Sequence, residues 1–264
     1  MPATTCRRCR RRPPVPTPSR FVVILLSALV AARAPAAEDD PGRCELRPGD
    51  RVVLLGDGVI EREGEHGAIE TALVATHPGA GLTFRNLGWS GDTVWAESRG
   101  VFDAPSAGYA RMLEVVRGLE PTVVIVAYGR NESFAGASGV EAFRDQLLTL
   151  CRDLRSAGGD RPPGLVLVTP PPFEATPPLS AAGASARNAA LTAYAAAIRD
   201  VAAAESAGLV DLTSGITAAL SPGSRLTENG IHLTAAGHDA AAAVFAAAFG
   251  RPLSGDFGGR TTAQ

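Results

Sequence analysis

The residues able to do chemistry gather in four short polar stretches. They are Gly56-Asp57-Gly58, Asn86-Leu87-Gly88-Trp89-Ser90-Gly91-Asp92-Thr93, Tyr128-Gly129-Arg130-Asn131-Glu132-Ser133-Phe134 and Glu228-Asn229-Gly230-Ile231-His232-Leu233. Together they hold carboxylates, amides, hydroxyls and an imidazole, the groups that acid–base and nucleophilic chemistry draw on. The first stretch follows Val52-Val53-Leu54-Leu55, four apolar residues without a polar break. That pattern belongs to a strand buried on both faces. Gly56-Asp57-Gly58 stops it, Asp57 being a common type of helix N-cap, and a helix-like stretch follows with Ile69, Leu73 and Val74 on one face. The turn therefore lies at the carboxyl end of an early strand, where open α/β sheets bind ligands. A nucleophile is sought at its tip, and the tip is Gly58, which has no side chain.

The elements that must position these stretches alternate. Strands are expected at Val52–Leu55, Leu82–Leu87, Thr122–Ala127, Leu165–Val168 and Leu209–Leu212. Helices are expected at Gly67–His77, around Met112–Leu119, at Val140–Leu154, at Ala184–Ala204 and at Thr234–Phe249. Phe143, Leu147, Leu150 and Leu154 form one helical stripe, and Thr234 is a good N-cap. Strands separated by helix-length segments predict an α/β fold with a five-stranded parallel sheet covered on both sides. Doubly wound topology gathers the four polar loops on one edge, and they are richer in polar groups than turn chemistry requires.

Taken in order, the four loops resemble the signature blocks of the SGNH/GDSL hydrolases: esterases, lipases and carbohydrate acetylesterases on a three-layer, flavodoxin-like, doubly wound fold. The resemblance runs from about Asp50 to Gly250. The family's first block reads Gly-Asp-Ser, and here it is Gly56-Asp57-Gly58. Gly91 matches the glycine whose N–H enters the oxyanion hole. Gly129-Arg130-Asn131-Glu132 resembles the Gly-x-Asn-Asp block, and Asn131 matches its oxyanion-hole amide. Asn229-Gly230-Ile231-His232 resembles the Asp-x-x-His block, so that His232 matches the general base and Asn229 stands where the orienting carboxylate belongs. A bacterial branch of the family is similar in its Asn-Leu-Gly-Trp-Ser-Gly-Asp-Thr and Asn-Gly-Ile-His-Leu stretches, and its first block also departs from Gly-Asp-Ser.

The resemblance implies ester chemistry with a non-standard or missing nucleophile. Such chemistry needs a hydroxyl nucleophile, a base, an orienting carboxylate and oxyanion donors. His232, Gly91 and Asn131 remain, Gly58 leaves the nucleophile's place vacant, and Asn229 carries no charge. Glu228, one residue earlier, is a candidate to lend that charge. Ser90 and Ser133 are candidate substitute nucleophiles, with loop hydrogen-bond donors as the plainer reading. Asp57 caps a helix or braces the loops. Trp89 and Trp95 are substrate platforms or, more simply, core side chains. His66, His77 and His238 read as surface or core residues.

All 25 basic residues among the 264 are arginines. Six of them, from Arg7 to Arg20, precede the apolar run Phe21–Ala32, and Ala34-Pro35-Ala36 supplies small residues for cleavage. Residues 1–37 thus read as a secretory signal peptide, with an uncleaved membrane tether as the alternative. Residues 38–49 form a linker, and 50–264 the hydrolase-like domain. Export leaves 18 Arg against 27 acids, a net charge of about −9. Such a domain repels nucleic acid and anionic lipid. Cys44 and Cys151 either form one disulfide or stand as separate thiols. No metal or cofactor is expected, and the partner is a small-molecule or carbohydrate ester. Three functions compete: an exported ester hydrolase, a pseudoenzyme that binds a carbohydrate or acyl ligand without turning it over, and a structural module at the cell surface.

Overall fold

A computed structural model describes residues 44–158, 161–221 and 224–250. The leader, the first half of the linker (residues 38–43) and the tail beyond Gly250 lie outside the described residues. Five strands make one sheet: β1 Arg51–Gly56, β2 Thr83–Gly88, β3 Val123–Ala127, β4 Gly164–Thr169 and β5 Gly208–Asp211. Their order is β2-β1-β3-β4-β5, and every neighbouring pair is parallel. The helices are α1 Gly58–His66, α2 Ala68–Thr76, α3 Pro105–Leu119, α4 Val140–Ala157, α5 Ala181–Ala204, α6 Leu212–Ala219 and α7 Ala235–Ala248.

The unbroken apolar strands follow from burial on both sides. Val52 and Leu54 point into a core shared with α1, α2, α6 and α7, while Val53 and Leu55 point into a second core with α3, α4 and α5. Successive strand side chains face opposite ways, so each face needs its own apolar set. β2 is an edge strand, and its half-exposed pattern fits the alternation Leu82–Leu87. Cys44 and Cys151 sit in different cores and are both free thiols.

Three expectations about elements need correction. A helix begins at Gly58 itself, and a separate one follows from Ala68. Asp57 caps the first, and Gly67, at φ +61°, ends it in the left-handed conformation that costs glycine least. Val74, expected on the buried face, is 49% exposed, because α2 buries Ile69, Ala72, Leu73 and Thr76 instead. Leu212, expected to close the fifth strand, opens α6, where Asp211 accepts the Ser214 N–H as N-cap. Among the described residues, no helix is long and apolar enough to cross a membrane.

The strand order reverses direction between β1 and β3, which creates a crevice beyond their carboxyl ends. The Gly56-Asp57-Gly58 turn and the loop from Tyr128 both begin there.

Candidate active site

The β1 turn is pressed against its neighbour. A side chain at Gly56 would come within 2.5 Å of the Ala127 carbonyl oxygen, so glycine is required for the close approach. The Asp57 N–H donates to that same oxygen at 3.2 Å, and its carboxylate accepts the Val59 N–H at 2.9 Å. Asp57 is buried. Burial pushes its carboxyl up, against the pull of the Arg130 cation. Asp57, read from the sequence as a helix cap or a loop brace, caps α1.

Gly58, at N1 of α1, is in a different situation. A Cβ there would meet only Ser90, its Oγ at 3.4 Å and its Cα at 4.0 Å, so the position is open. The Ser90 hydroxyl donates to Glu61 Oε2 at 3.4 Å. Gly91 follows at φ +73° in a turn closed by the Asp92 N–H on the Trp89 carbonyl. Among the described residues, no hydrogen bond takes up the Gly58 or Gly91 N–H.

Buried charge holds the middle loops together. Asp92 Oδ2 accepts Arg99 Nε at 2.5 Å and the Tyr128 hydroxyl at 2.9 Å. Burial, reinforced by the Asp92 charge, holds the Tyr128 phenol well above its usual range. Glu132 accepts the Val94 N–H on one oxygen and the Gly129 N–H on the other, each at 2.8 Å. Burial raises its carboxyl to about 7 despite those bonds. Asn131 Nδ2 donates to the Asp92 carbonyl at 2.7 Å, which leaves its second N–H to spend. Ser133 is turned away, its hydroxyl buried on the Arg130 carbonyl at 2.6 Å.

Arg130 ties the third loop to the last. It is 3% exposed and donates to the carbonyls of Ile231 and, at 3.1 Å, Pro171. Its positive charge bears on both Asp57 and His232. The last loop is pinned by Glu174, which accepts the Thr227 N–H at 2.7 Å and its hydroxyl at 2.6 Å. Within that loop Asn229 Oδ1 accepts the N–H groups of Ile231 and His232, at 3.2 and 3.0 Å. Asn229 Nδ2 lies 3.1 Å from His232 Nδ1. Burial, with the Arg62 and Arg130 cations, lowers the imidazole's pKa against the opposing pull of Glu228 and Glu61. Glu61 and Arg62 belong to the first turns of α1, so His232 lies beside the helix that Gly58 begins. Glu228 points instead to Arg62, at 3.6 Å.

The structure thus brings Asp57, Gly58, Ser90, Gly91, Asn131, Asn229 and His232 into one chain of contacting loops. It turns the Ser133 hydroxyl away onto the Arg130 carbonyl, and pairs Glu228 with Arg62 while its charge still bears on the imidazole. Sequence reasoning assigned no role to Arg130, Glu132, Asp92 or Glu174. The signal for the first two was charge placed directly after a fully apolar strand. His238, read as surface or core, is buried, with Nδ1 2.7 Å from Glu63 Oε2 and its ring stacked on His66 at 4.1 Å. Trp89 is 44% exposed under the Arg99 guanidinium, whereas Trp95 packs against the core. Trp89 also borders a cavity of about 400 Å³ with Val101, Met112 and Val115. Among the described residues, no cluster of His, Cys, Asp and Glu could hold a metal ion.

Solved structures share this architecture. An α/β hydrolase enzyme, LAE5, from the metagenome of Lake Arreo, Spain, superposes with a TM-score of 0.60 at 22% identity over 79% of this chain and 99% of that one. A catalytic mutant of the acetylxylan esterase Axe2 from Geobacillus stearothermophilus gives 0.61 at 18% identity, over 79% and 97%. At those identities the likeness establishes the fold. No curated protein matches the chain. Residues 54–240, however, match the model of the GDSL-like lipase/acylhydrolase family, from the first polar loop to beyond the last. The chain belongs to the GDSL-like lipase/acylhydrolase family.

Proposed function

We propose that the protein is an exported ester hydrolase of this family, acting on acyl groups of a carbohydrate, in which water replaces the serine nucleophile. In this reading Gly58 stands at the serine's position and Asn229 at the position of the orienting aspartate. The observation that carries it is the open space over Gly58 beside unspent donors: the Gly58 and Gly91 N–H groups and the second N–H of Asn131. Donors aimed at a developing oxyanion are often the largest catalytic contribution, and they survive the loss of a nucleophile. Water in that space attacks the acyl carbon and passes its proton to a carboxylate at the rim. Glu61 is the candidate, since its Oε2 is 3.4 Å from the Ser90 hydroxyl that borders the space. The same carboxyl then returns the proton to the departing alcohol oxygen. Carbohydrate enters the reading through the acetylxylan esterase among the structural relatives.

One observation favours a second reading, binding without turnover. Direct attack forgoes covalent catalysis, and Asn229 supplies no charge to stabilise a protonated imidazole. The test is hydrolysis of 4-nitrophenyl acetate and acetylated xylan by the purified mature protein. Turnover that falls at least tenfold in Glu61→Gln supports the hydrolase. Binding of acetylated xylo-oligosaccharide with no turnover supports the second reading.

A further inference from the structure

We infer that Asn229 fixes His232 as the tautomer protonated on Nε2, so that the imidazole presents a hydrogen-bond donor to the ligand and does not serve as the base. The inference deepens the proposed function, resting on its ester-binding site with His232 taken as the ring that borders it, and reverses the role that the family resemblance implies.

The argument is one of donors and acceptors. A primary amide has one end that only accepts and another that only donates. The two ends are ordinarily hard to tell apart, and the surrounding hydrogen bonds decide. Here the decision is clear. Asn229 Oδ1 takes two backbone N–H groups, those of Ile231 at 3.2 Å and His232 at 3.0 Å. Turning the amide over would aim its NH₂ at both of them. The end that faces His232 Nδ1, at 3.1 Å, is therefore Nδ2, a donor. Nδ1 must then offer its lone pair, and in a neutral ring the proton resides on Nε2. Protonating Nδ1 as well would set two N–H groups against each other. Burial and the cations Arg62 and Arg130 also oppose a charged ring, outweighing Glu228 and Glu61.

An aspartate at this position would impose the opposite arrangement. A carboxylate accepts on both oxygens, so it could keep the two backbone N–H bonds and also take Nδ1–H, which frees the Nε2 lone pair to act as base. A single change of NH₂ for O⁻ thus decides which face of the ring is basic. In the present chain the ligand atom against Nε2 must be an acceptor, such as an ester carbonyl, an ester oxygen or a carboxylate. Asn229 is a positioning residue: it acts through His232 and need not touch the ligand.

The test reads the tautomer directly. Long-range ¹H–¹⁵N correlation spectra of the histidine-labelled mature protein distinguish protonated from bare ring nitrogens, and His232→Gln assigns the signals. Wild type should show Nε2 protonated and Nδ1 bare. In Asn229→Asp the proton should move to Nδ1, and the His232 pKa should rise by about one to three units as a carboxylate replaces the amide. Asp retains both backbone acceptors, so the loop should keep its form. Wild type protonated on Nδ1, or the same tautomer in both proteins, would overturn the inference. Should the tautomers be as stated while no ester is turned over, the inference stands and the hydrolase reading falls. Should esters be hydrolysed by a wild type protonated on Nδ1, the reverse holds.

Discussion

Two residues control what the site can do, and each can be restored separately. Gly58→Ser adds a hydroxyl where a Cβ meets only Ser90 at 3.4 Å, an ordinary contact, so the variant should fold. Its serine would nevertheless face an imidazole whose Nε2 carries a proton in our proposal, and activity on short-chain activated esters should rise little. Gly58→Ser with Asn229→Asp supplies nucleophile, tautomer and charge together. Because the wrong tautomer in a serine triad costs about 10⁴ in turnover, the double variant should exceed the single one by up to about that factor in kcat. Equal activity in the two variants would remove Asn229 from the argument. Glu132 offers a second test at this scale. Its folded pKa of about 7 exceeds the ordinary carboxylate value of 4.5 because of burial, so the native state binds the extra proton between those pH values. Stability from this group is therefore fully present below about pH 4.5 and is lost as pH rises through about 7, by roughly 3 kcal/mol. Glu132→Gln removes the titration and turns an N–H against Val94 or Gly129. Urea unfolding should show a deficit relative to wild type that narrows by roughly that amount between pH 4.5 and 8.

At the scale of elements, the site depends on two helices, α1 behind Gly58 and α7 after His232, and a buried pair joins them. Glu63 Oε2 meets His238 Nδ1 at 2.7 Å, and its other oxygen accepts the Ile69 N–H at 2.5 Å. Glu63→Ala would leave both partners buried and unanswered, and should destabilise by roughly 3 kcal/mol or more, measured by urea unfolding. The activity lost should follow the fraction unfolded, since Glu63 touches no part of the candidate site. Nothing in the sequence pointed to this pair: 175 residues separate its members, and each by itself looks like an ordinary helical polar residue. The strands, by contrast, were legible. Val52–Leu55 and Thr122–Ala127 are apolar on both faces, and only a covered parallel sheet accommodates that. α1 escaped because its sequence, Gly-Val-Ile-Glu-Arg-Glu-Gly-Glu-His, is mostly polar and holds two glycines. Its stability comes from the Asp57 cap and from Val59 and Ile60 packed in the core, contacts that local propensity does not display. The loops of the candidate site were legible as positions, because glycines and polar groups at strand ends are local features. Their wiring through Arg130, Glu132 and Glu174 was not, because it depends on which loops the sheet order makes neighbours.

For the whole molecule, the sheet divides the protein into two cores that share no side chain, and this determines the state of its cysteines. Cys44 belongs to the core that α1, α2, α6 and α7 cover, with its thiol donating to the Leu209 carbonyl of β5 at 3.6 Å, and Cys151 belongs to the core of α3, α4 and α5. The sheet thickness lies between them, and a disulfide needs Cα atoms within about 7 Å. Export, if it proceeds as proposed, would carry the chain into a compartment where exposed thiols are oxidised. These two are protected by burial, which removes contact with oxidant and pushes both thiols up to about 12, out of the reactive thiolate form. The mature protein should therefore hold two reduced cysteines wherever it is found. Thiol titration should find close to none reactive in the native protein and two per chain after denaturation. A reductant should leave the midpoint of thermal unfolding unchanged, whereas a native disulfide would contribute about 2–4 kcal/mol and make the midpoint fall on reduction. Recovery of a disulfide-linked mature chain would mean that the two cores exchange a strand or that Cys44 leaves its core, and either would overturn the division of the sheet described above.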